Sequence, residues 1–379
     1  MATKVLEVAD ASERLGWLQA LRGIAAVSVV ICHCNLNLAG PSYEAVIDIL
    51  NRLGAGVDLF FVISGFIIVH TTRDDPGGVR SAAGFAIKRL RRIWPAYVAL
   101  TIVVGLLTFG WGLILDDDTR TRLVKSVLFV PASYDSIYGS QIIVQGWTLG
   151  FEIYFYAVFA TSLLFASWRW TFLAAWWGVT LIILPLIYHA SLTDVFQSYA
   201  TTDYPLNYLK LATNPVIWEF VAGGVAALIY QSSVRIRSEQ LCSALALGSV
   251  AFALWNTLSP MVPSALGVAL GYAIMIAAIS VASKTIDISA PWALRYLGDI
   301  SYTLYLEHLA VIYILKSVYT FIGLQDEWTT LGNVPVTVFA CILVAALTSR
   351  FLERDLLRWT WSAFRPRSRS YPELSKSSA

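Results

Sequence analysis

Ten stretches of mostly apolar residues alternate with short polar segments along the chain. A helix needs about 20 apolar residues to cross the hydrocarbon core of a bilayer, and each stretch is close to that length. The pattern therefore predicts an all-α protein, a polytopic transmembrane bundle of about ten helices. The predicted spans are 16–38, 54–71, 94–114, 145–167, 169–188, 211–230, 239–257, 263–283, 296–321 and 332–351.

The remaining segments define the predicted domain boundaries. Residues 1–14 form a polar lead and residues 15–355 the membrane domain, followed by a basic tail over 356–379 that we expect to be disordered. The stretch 123–130 is too short to cross and is expected to dip into the outer interface. The first span has no small-residue cleavage site, so it is expected to remain as an anchor.

The basic residues indicate how the helices are oriented. With both termini in the cytoplasm, the inner segments hold 20 of the 27 Lys and Arg residues, the outer loops hold five, and two lie within spans. Loops rich in Lys and Arg stay on the cytoplasmic side of a membrane. The sequence therefore predicts cytoplasmic termini and a multi-pass protein of the inner (plasma) membrane.

Composition agrees with this interpretation and excludes several classes of protein. Apolar residues make up 57% of the chain and charged residues 14%, against about 45–50% and a quarter in soluble domains. The basic residues are confined to particular loops, so no nucleic-acid partner is expected. The four cysteines fall in apolar stretches, and neither a disulfide framework nor a metal site is predicted. A phosphate-binding glycine loop and a serine-hydrolase elbow are both missing.

The first predicted helix carries two ionisable residues at membrane depth, Arg22 and His33. Eleven residues correspond to three turns plus about 20°, so both side chains face the same way, about 16 Å apart along the axis. In a structural interpretation Arg22 reaches the inner headgroups and His33 bonds to a neighbouring helix. In a functional interpretation both side chains face a buried site. Charged residues inside a membrane are energetically costly, and those that occur there usually have a function.

Further polar side chains on other predicted helices favour the functional interpretation. Asp58 and Glu152 share the depth of His33, roughly 6–9 Å on the outer side of the midplane. Glu219 and His308 fall near the middle, and His308 continues a polar stripe with Tyr305. A carboxylate beside an imidazole fixes its tautomer and raises its basicity, which suits a general base. We therefore expect a buried polar cavity.

A basic cluster, Lys88-Arg89-Leu90-Arg91-Arg92, precedes the predicted third helix on the cytoplasmic side. It is either a positive-inside anchor or a phosphate clamp, since guanidinium groups bind phosphate oxygens in paired geometry. The diphosphate and 3′-phosphate of coenzyme A would fit such a clamp.

Five motifs occur in the order found in one family of membrane enzymes. They are Arg22-x10-His33, Gly-Val-Asp-Leu-Phe-Phe-Val-Ile-Ser-Gly-Phe (56–66), Arg89-x-x-Arg92, Glu-Phe-x-x-Gly (219–223) and Gly-x-x-Ser-Tyr-x-x-Tyr-Leu-x-His (298–308). The chain resembles the acyltransferase-3 family over about residues 14–355. The segment 147–156, Trp-Thr-Leu-Gly-Phe-Glu-Ile-Tyr-Phe-Tyr, is most similar to its exopolysaccharide acetylase branch.

The resemblance implies transfer of an acyl group, acetyl or succinyl, from cytoplasmic acyl-CoA to a hydroxyl of a surface or exported carbohydrate such as exopolysaccharide or lipopolysaccharide. No permanently bound cofactor is expected, and the partners are acyl-CoA, a carbohydrate or lipid-linked saccharide, and membrane lipids. The expected roles are catalysis by His33, Asp58 and Glu152, donor binding by Arg22, Arg89 and Arg92, and substrate binding by Trp147, Glu219, Tyr305 and His308.

Two other functions are compatible with intramembrane polar residues. A proton-coupled transporter also needs buried His and carboxylate groups, although the halves of this chain show no inverted repeat and the basic cluster would have no role there. A non-catalytic component of a polysaccharide assembly machine would use the same residues only to join helices. Binding of coenzyme A distinguishes the enzyme from both.

Overall fold

The structure is a computed structural model, and it describes residues 15–35, 38, 41–130, 141–195, 204–259 and 265–355. Within these ranges every regular element is helical and no strand occurs, which confirms the predicted all-α fold. The polar lead before residue 15 and the basic tail after residue 355 lie outside the described residues, as does the predicted disorder of that tail.

The helices follow the apolar stretches of the sequence. They are α1 (Gly16–Cys34), α2 (Glu44–Arg52), α3 (Gly56–Thr71), α4 (Val79–Phe109), α5 (Gly112–Leu115), α6 (Asp117–Val127), α7 (Gly146–Leu164), α8 (Arg169–Gly178), α9 (Leu184–Ile187), α10 (Asn207–Ala212), α11 (Ile217–Gln231), α12 (Glu239–Leu258), α13 (Ala265–Ala282), α14 (Trp292–Asp299), α15 (Ser301–Phe321), α16 (Gln325–Trp328) and α17 (Asn333–Ser349).

Eight helical segments among the described residues are long and apolar enough to cross a membrane. They are Gly16–Cys34, Glu44–Thr71, Val79–Phe109, Gly146–Leu164, Ala166–Ile187, Tyr208–Gln231, Glu239–Leu258 and Asn333–Leu352. Each covers one predicted span, and the other two predicted spans correspond to the shorter apolar helix Leu266–Ala282 and to α15. The protein is therefore a multi-pass membrane protein. Large apolar side chains such as Leu107, Leu247 and Phe339 point outward, as a lipid-facing surface requires.

Three predicted boundaries differ from the structure. Helix α4 begins at Val79 instead of residue 94, so the basic cluster lies inside the helix, because Lys and Arg are good helix formers. The predicted ninth span is divided at Ile300 into α14 and α15. The stretch expected to dip into the interface is largely helix α6, which starts where the Asp116 carboxylate accepts from the Thr119 N–H at 2.9 Å.

Helix α1 occupies the centre of the bundle, where it packs against α3, α14, α15 and α17. Helix α3 in turn packs against α11 and α13, while α7 packs between α4 and α8. The helices that carry the predicted site residues are therefore neighbours. Large buried aromatic rings, including Phe61, Phe155 and Phe220, fill the space between α3, α7 and α11.

The two closest helix crossings among the described residues leave no room for a Cβ atom. A Cβ atom at Gly223 in α11 would lie 1.9 Å from the Val62 carbonyl oxygen of α3, and one at Gly65 would lie 2.0 Å from the Phe220 carbonyl oxygen. At the other crossing, a Cβ atom at Gly298 in α14 would lie 2.0 Å from the Gln19 carbonyl oxygen of α1. Small residues at interfaces let membrane helices approach closely, and these two crossings bring polar residues of different helices together.

Candidate active site

Two adjoining cavities lie in the centre of the bundle. The arginine cavity is lined by Arg22, Ser64, Arg89, Arg92, Glu152 and Tyr156, among others. The histidine cavity is lined by His33, Asp58, Gln145, Trp147 and Glu219, among others. Val57, Phe61 and Tyr305 belong to the walls of both, so only a thin partition of side chains separates the two. Helix α1 contributes Arg22 to one cavity and His33, about 16 Å further along its axis, to the other.

Arg89 is held in place by aromatic rings and a hydroxyl group. Its Cζ atom lies 5.4 Å from the ring centroid of Phe85 and 5.7 Å from that of Tyr156, within the range of a cation–π contact. Its Nη2 atom donates to the Thr71 Oγ1 atom at 3.2 Å. Because these contacts fix the guanidinium group and leave other N–H groups available, the cavity offers oriented donors for an anion.

Glu152 lies on the same side as the arginines. Its Oε1 atom accepts hydrogen bonds from the hydroxyl groups of Tyr156 and, at 3.3 Å, Ser64. It also interacts electrostatically with Arg89. The prediction gave Glu152 the depth of Asp58 and His33, but in the structure it bonds to Ser64, six residues further along α3 than Asp58, and lines the arginine cavity.

Two histidines contact each other near the C-terminal end of α1. The Nδ1 atom of His33 lies 2.9 Å from the Val29 carbonyl oxygen and 3.2 Å from the Nε2 atom of His308, whose own Nδ1 atom lies 2.8 Å from the Tyr305 carbonyl oxygen. A carbonyl oxygen only accepts, so both Nδ1 atoms carry the hydrogen. His308 therefore accepts through Nε2 from the His33 N–H group. This arrangement leaves the Nε2 atom of His33 unprotonated, as a general base requires.

Asp58 and Glu219 form a pair of carboxyl groups in the histidine cavity. The two side chains interact directly. Glu219 is fully buried, and no hydrogen bond of regular geometry reaches either of its oxygens from the described residues. The close crossing at Gly223, one turn after Glu219, brings these groups together. The site thus holds carboxyl groups from two helices near the imidazole of a third.

The partition between the cavities contains a hydrogen-bonded pair of hydroxyl groups. The Thr148 Oγ1 atom donates to the Gln145 main-chain oxygen at 2.8 Å, and it lies 2.9 Å from the Tyr305 hydroxyl oxygen. Because Thr148 uses its single hydrogen on the carbonyl, Tyr305 donates to Thr148. This bond holds the Tyr305 ring at the boundary, where Phe60 packs against it with ring centroids 5.8 Å apart.

Nine of the ten predicted site residues line one of the two cavities. They are Arg22, Arg89, Arg92 and Glu152 in the first, His33, Asp58, Trp147 and Glu219 in the second, and Tyr305 in both. His308, predicted to bind substrate, is instead fully buried behind His33 and is absent from both linings. Its position behind His33 lets it act on a ligand through the His33 ring.

The sequence analysis did not assign several polar lining residues to the site, among them Ser64, Gln145, Thr148 and Tyr156. Helical spacing from Glu152 was a usable signal for two of them: Tyr156 follows it by one turn, and Gln145 precedes it by two. Ser64 and Thr148 gave no such signal, because hydroxyl side chains in membrane helices commonly bond only to their own backbone.

The chain is similar to known proteins over most of its length. A family model described as an acyltransferase domain matches residues 15–350 of the 379-residue chain. The chain belongs to the acyltransferase-3 family. It is therefore an acyltransferase, and the resemblance drawn from its five motifs is confirmed. No solved structure matches the chain significantly.

Relatives of the chain include proteins with different names from different bacteria. The chain is 33% identical over 319 residues to the exopolysaccharide production protein ExoZ of Rhizobium meliloti (strain 1021), covering 80% of this chain and 89% of that protein. It is 27% identical over 361 residues to the acyltransferase MdmB of Streptomyces mycarofaciens, with 88% of each chain covered. It is 26% identical to the putative O-acetyltransferase SAR0937 of Staphylococcus aureus (strain MRSA252), covering 94% of this chain and 59% of that one.

Proposed function

We propose that the protein transfers an acyl group, acetyl first among the candidates, from cytoplasmic acyl-CoA to a hydroxyl group of a surface or exported carbohydrate. One observation carries the proposal: a cavity lined by three arginines adjoins a cavity lined by a histidine and two carboxyl groups, with Tyr305 in the wall of both. A donor with an anionic head and a long neutral arm fits the first, and an alcohol the second.

The arginine cavity suits the phosphate groups of coenzyme A. Arg22, Arg89 and Arg92 supply guanidinium groups, which bind phosphate oxygens through paired hydrogen bonds. From there the pantetheine arm has to cover about 16 Å to bring a thioester to His33, a distance within its length. Relatives named O-acetyltransferase and exopolysaccharide production protein support acetyl-CoA as donor and a carbohydrate as acceptor.

In the proposed reaction the acceptor hydroxyl attacks the thioester carbon while His33 Nε2 takes the hydroxyl proton. The carbon–sulfur bond then breaks, and the thiolate of coenzyme A leaves and receives a proton. His33 keeps its Nδ1 hydrogen throughout, and that hydrogen bonds more strongly to His308 once the ring is charged. An acyl-imidazole route, in which His33 carries the acyl group before passing it on, uses the same nitrogen.

The remaining predicted residues take roles set by the cavity they line. Asp58 and Glu219 bind the acceptor and orient it toward His33, with Trp147 as an adjoining apolar wall. Glu152 acts at the donor end, where it holds Tyr156 and Ser64 and offsets the charge of Arg89. The basic inner loops support placement of the arginine cavity toward the cytoplasm of an inner (plasma) membrane.

A transfer assay with purified protein in lipid nanodiscs tests this function. The protein should bind coenzyme A and should transfer radiolabelled acetyl groups from acetyl-CoA to surface glycan isolated from a host that lacks the protein. Mass spectrometry of glycans from cells with and without the protein then gives the acyl group and the sugar position. Substrate uptake without acyl transfer, or failure to bind coenzyme A, would contradict the proposal.

A further inference from the structure

Two buried polar side chains in the histidine cavity have hydrogen-bonding atoms that the described chain does not fully satisfy. Gln145 is 3% exposed and Glu219 is not exposed at all, yet among the described residues the Oε1 and Nε2 atoms of Gln145 have no hydrogen-bond partner, and the two carboxyl oxygens of Glu219 have only the neighbouring Asp58 carboxyl group. Both residues line the cavity. Burying such groups without partners is costly, so their retention in a cavity points to a ligand that completes them.

The pattern of missing bonds restricts the chemistry of that ligand. The Gln145 amide needs a donor for its oxygen and an acceptor for its NH2 group, whereas a carboxylate needs donors only. A hydroxyl group supplies both, since it donates once and accepts twice. A cation would satisfy Glu219 and leave the NH2 group of Gln145 unpaired, and an apolar ligand would satisfy neither. A molecule with several hydroxyl groups matches the site.

The backbone around Gln145 is fixed independently of its side chain. Gln145 directly precedes α7, and its main-chain oxygen accepts hydrogen bonds from the Thr148 N–H at 3.2 Å and from the Thr148 hydroxyl at 2.8 Å. Thr148 is in turn bonded to Tyr305 at the partition. The amide group is thus held at a fixed distance from the wall where the acyl group must pass, while its hydrogen-bonding atoms remain available.

We propose that Gln145 and Glu219 each bind a non-reacting hydroxyl group of one sugar ring of the acceptor, so that a different hydroxyl of that ring faces His33. This inference rests on the proposed function and adds to it how the protein recognises the acceptor. Gln145 is then a specificity-determining residue: it decides which hydroxyl reaches the base. Sites built around substrate hydroxyls discriminate strongly against analogues that lack them.

Saturation-transfer NMR on the full-length protein in nanodiscs tests the proposal with defined probes. The probes are the methyl glycosides of glucose, galactose, mannose and N-acetylglucosamine, each with its monodeoxy analogues. Gln145→Met removes the amide and keeps an unbranched side chain of similar length. The matched control is Gln141→Met, because Gln141 is also buried but bonds to Tyr97 and lies outside the histidine cavity.

We expect removal of the Gln145 amide and removal of one probe hydroxyl group to weaken glycoside binding by the same factor. Wild-type protein should bind at least one glycoside, and one of its deoxy analogues about five- to tenfold more weakly, the factor typical of a single neutral hydrogen bond. Gln145→Met should bind the parent glycoside with the same five- to tenfold loss and should no longer distinguish it from that analogue, whereas Gln141→Met should behave as wild type. The deoxy series needs only wild-type protein, so it gives a result even where a variant folds poorly.

Other outcomes have separate meanings. If no glycoside binds the wild-type protein, or if Gln145→Met still distinguishes the parent glycoside from the deoxy probe, the proposed role of Gln145 in acceptor recognition is overturned. Coenzyme A binding, measured on the same samples by isothermal titration calorimetry, should be equal in wild type and Gln145→Met. If the wild-type protein does not bind coenzyme A, the proposed function is overturned instead, so the two failures are distinguishable.

Discussion

The Nε2 atom of His308 lies 3.2 Å from the Nδ1 atom of His33 and accepts a hydrogen bond from it. The aspartate of a serine-protease triad stands in the same relation to its histidine: it holds the ring in one tautomer and stabilises the ring when it is charged. Here a neutral, fully buried imidazole takes that position.

His308→Leu is therefore expected to lower kcat for acyl transfer by about 10- to 100-fold. The Val29 carbonyl oxygen still holds the His33 tautomer in this variant, but the charged ring loses the imidazole that accepts from its Nδ1–H group; the corresponding loss with a charged partner is about 10⁴. His308→Gln should recover part of this loss, since the amide oxygen can accept from the His33 N–H. The measurements are initial rates and coenzyme A affinity, and the affinity should not change. Equal rates for the Leu and Gln variants would show that His308 serves only packing.

His33→Ala is expected to lower the transfer rate by about 10²–10⁴, the usual contribution of a positioned general base. Binding of acetyl-CoA and the melting temperature should remain close to wild type, because His33 is only partly buried. His189→Asn serves as control: His189 is exposed with a φ of 53°, a conformation that Asn tolerates. Undiminished transfer by His33→Ala would show that the base is another residue.

Arg89→Ala and Arg92→Ala should each weaken coenzyme A binding by about 10- to 100-fold, the range for a hydrogen bond to a charged group. Arg89→Lys should restore only part of the affinity, since an ammonium group cannot bind phosphate oxygens in pairs. Titration calorimetry at two salt concentrations gives the values, and Arg237→Ala, at an exposed position away from both cavities, provides the control. Unchanged affinity in both alanine variants would leave the basic cluster as a membrane anchor.

Gly223→Ala is expected to destabilise the protein by about 1–3 kcal/mol, because the new methyl group would meet the Val62 carbonyl oxygen at 1.9 Å and push α3 and α11 apart. Transfer activity should fall as well, since the same crossing sets Glu219 against Asp58. Gly248→Ala in α12 is the matched control, because a Cβ atom there meets nothing within 4 Å. Thermal unfolding in nanodiscs compares the two, and equal melting temperatures would contradict the close crossing.

The sequence predicted positions along α1 better than positions along α7. Hydropathy and helix geometry put Arg22 and His33 about 16 Å apart along α1, and the structure has them in different cavities. The same reasoning gave Glu152 the depth of Asp58. In the structure Glu152 instead accepts from Ser64, six residues further along α3, and lines the arginine cavity, because packing sets how far two helices are shifted along their axes and the apolar pattern of either helix does not.

Some helix boundaries were predicted wrongly for a related reason. The start of α4 was placed at Trp94 because the apolar pattern begins there, whereas the backbone hydrogen bonds continue through the charged residues back to Val79. Likewise, the break at Ile300 has no glycine or proline directly at it to announce it. The unpaired amide of Gln145 was also invisible in advance, because the absence of a partner is a property of the packed structure.

The shared wall of Val57, Phe61 and Tyr305 has a further consequence for the cell. In the proposed function the donor enters from one face of the membrane and the acceptor from the other, so an open channel between the cavities would let protons and ions cross. Val57, Phe61 and Tyr305 stand between the two cavities, and the Tyr305–Thr148 bond keeps one ring in place. In that reaction only the acyl group has to pass this wall of side chains, so the transfer is compatible with an intact electrochemical gradient.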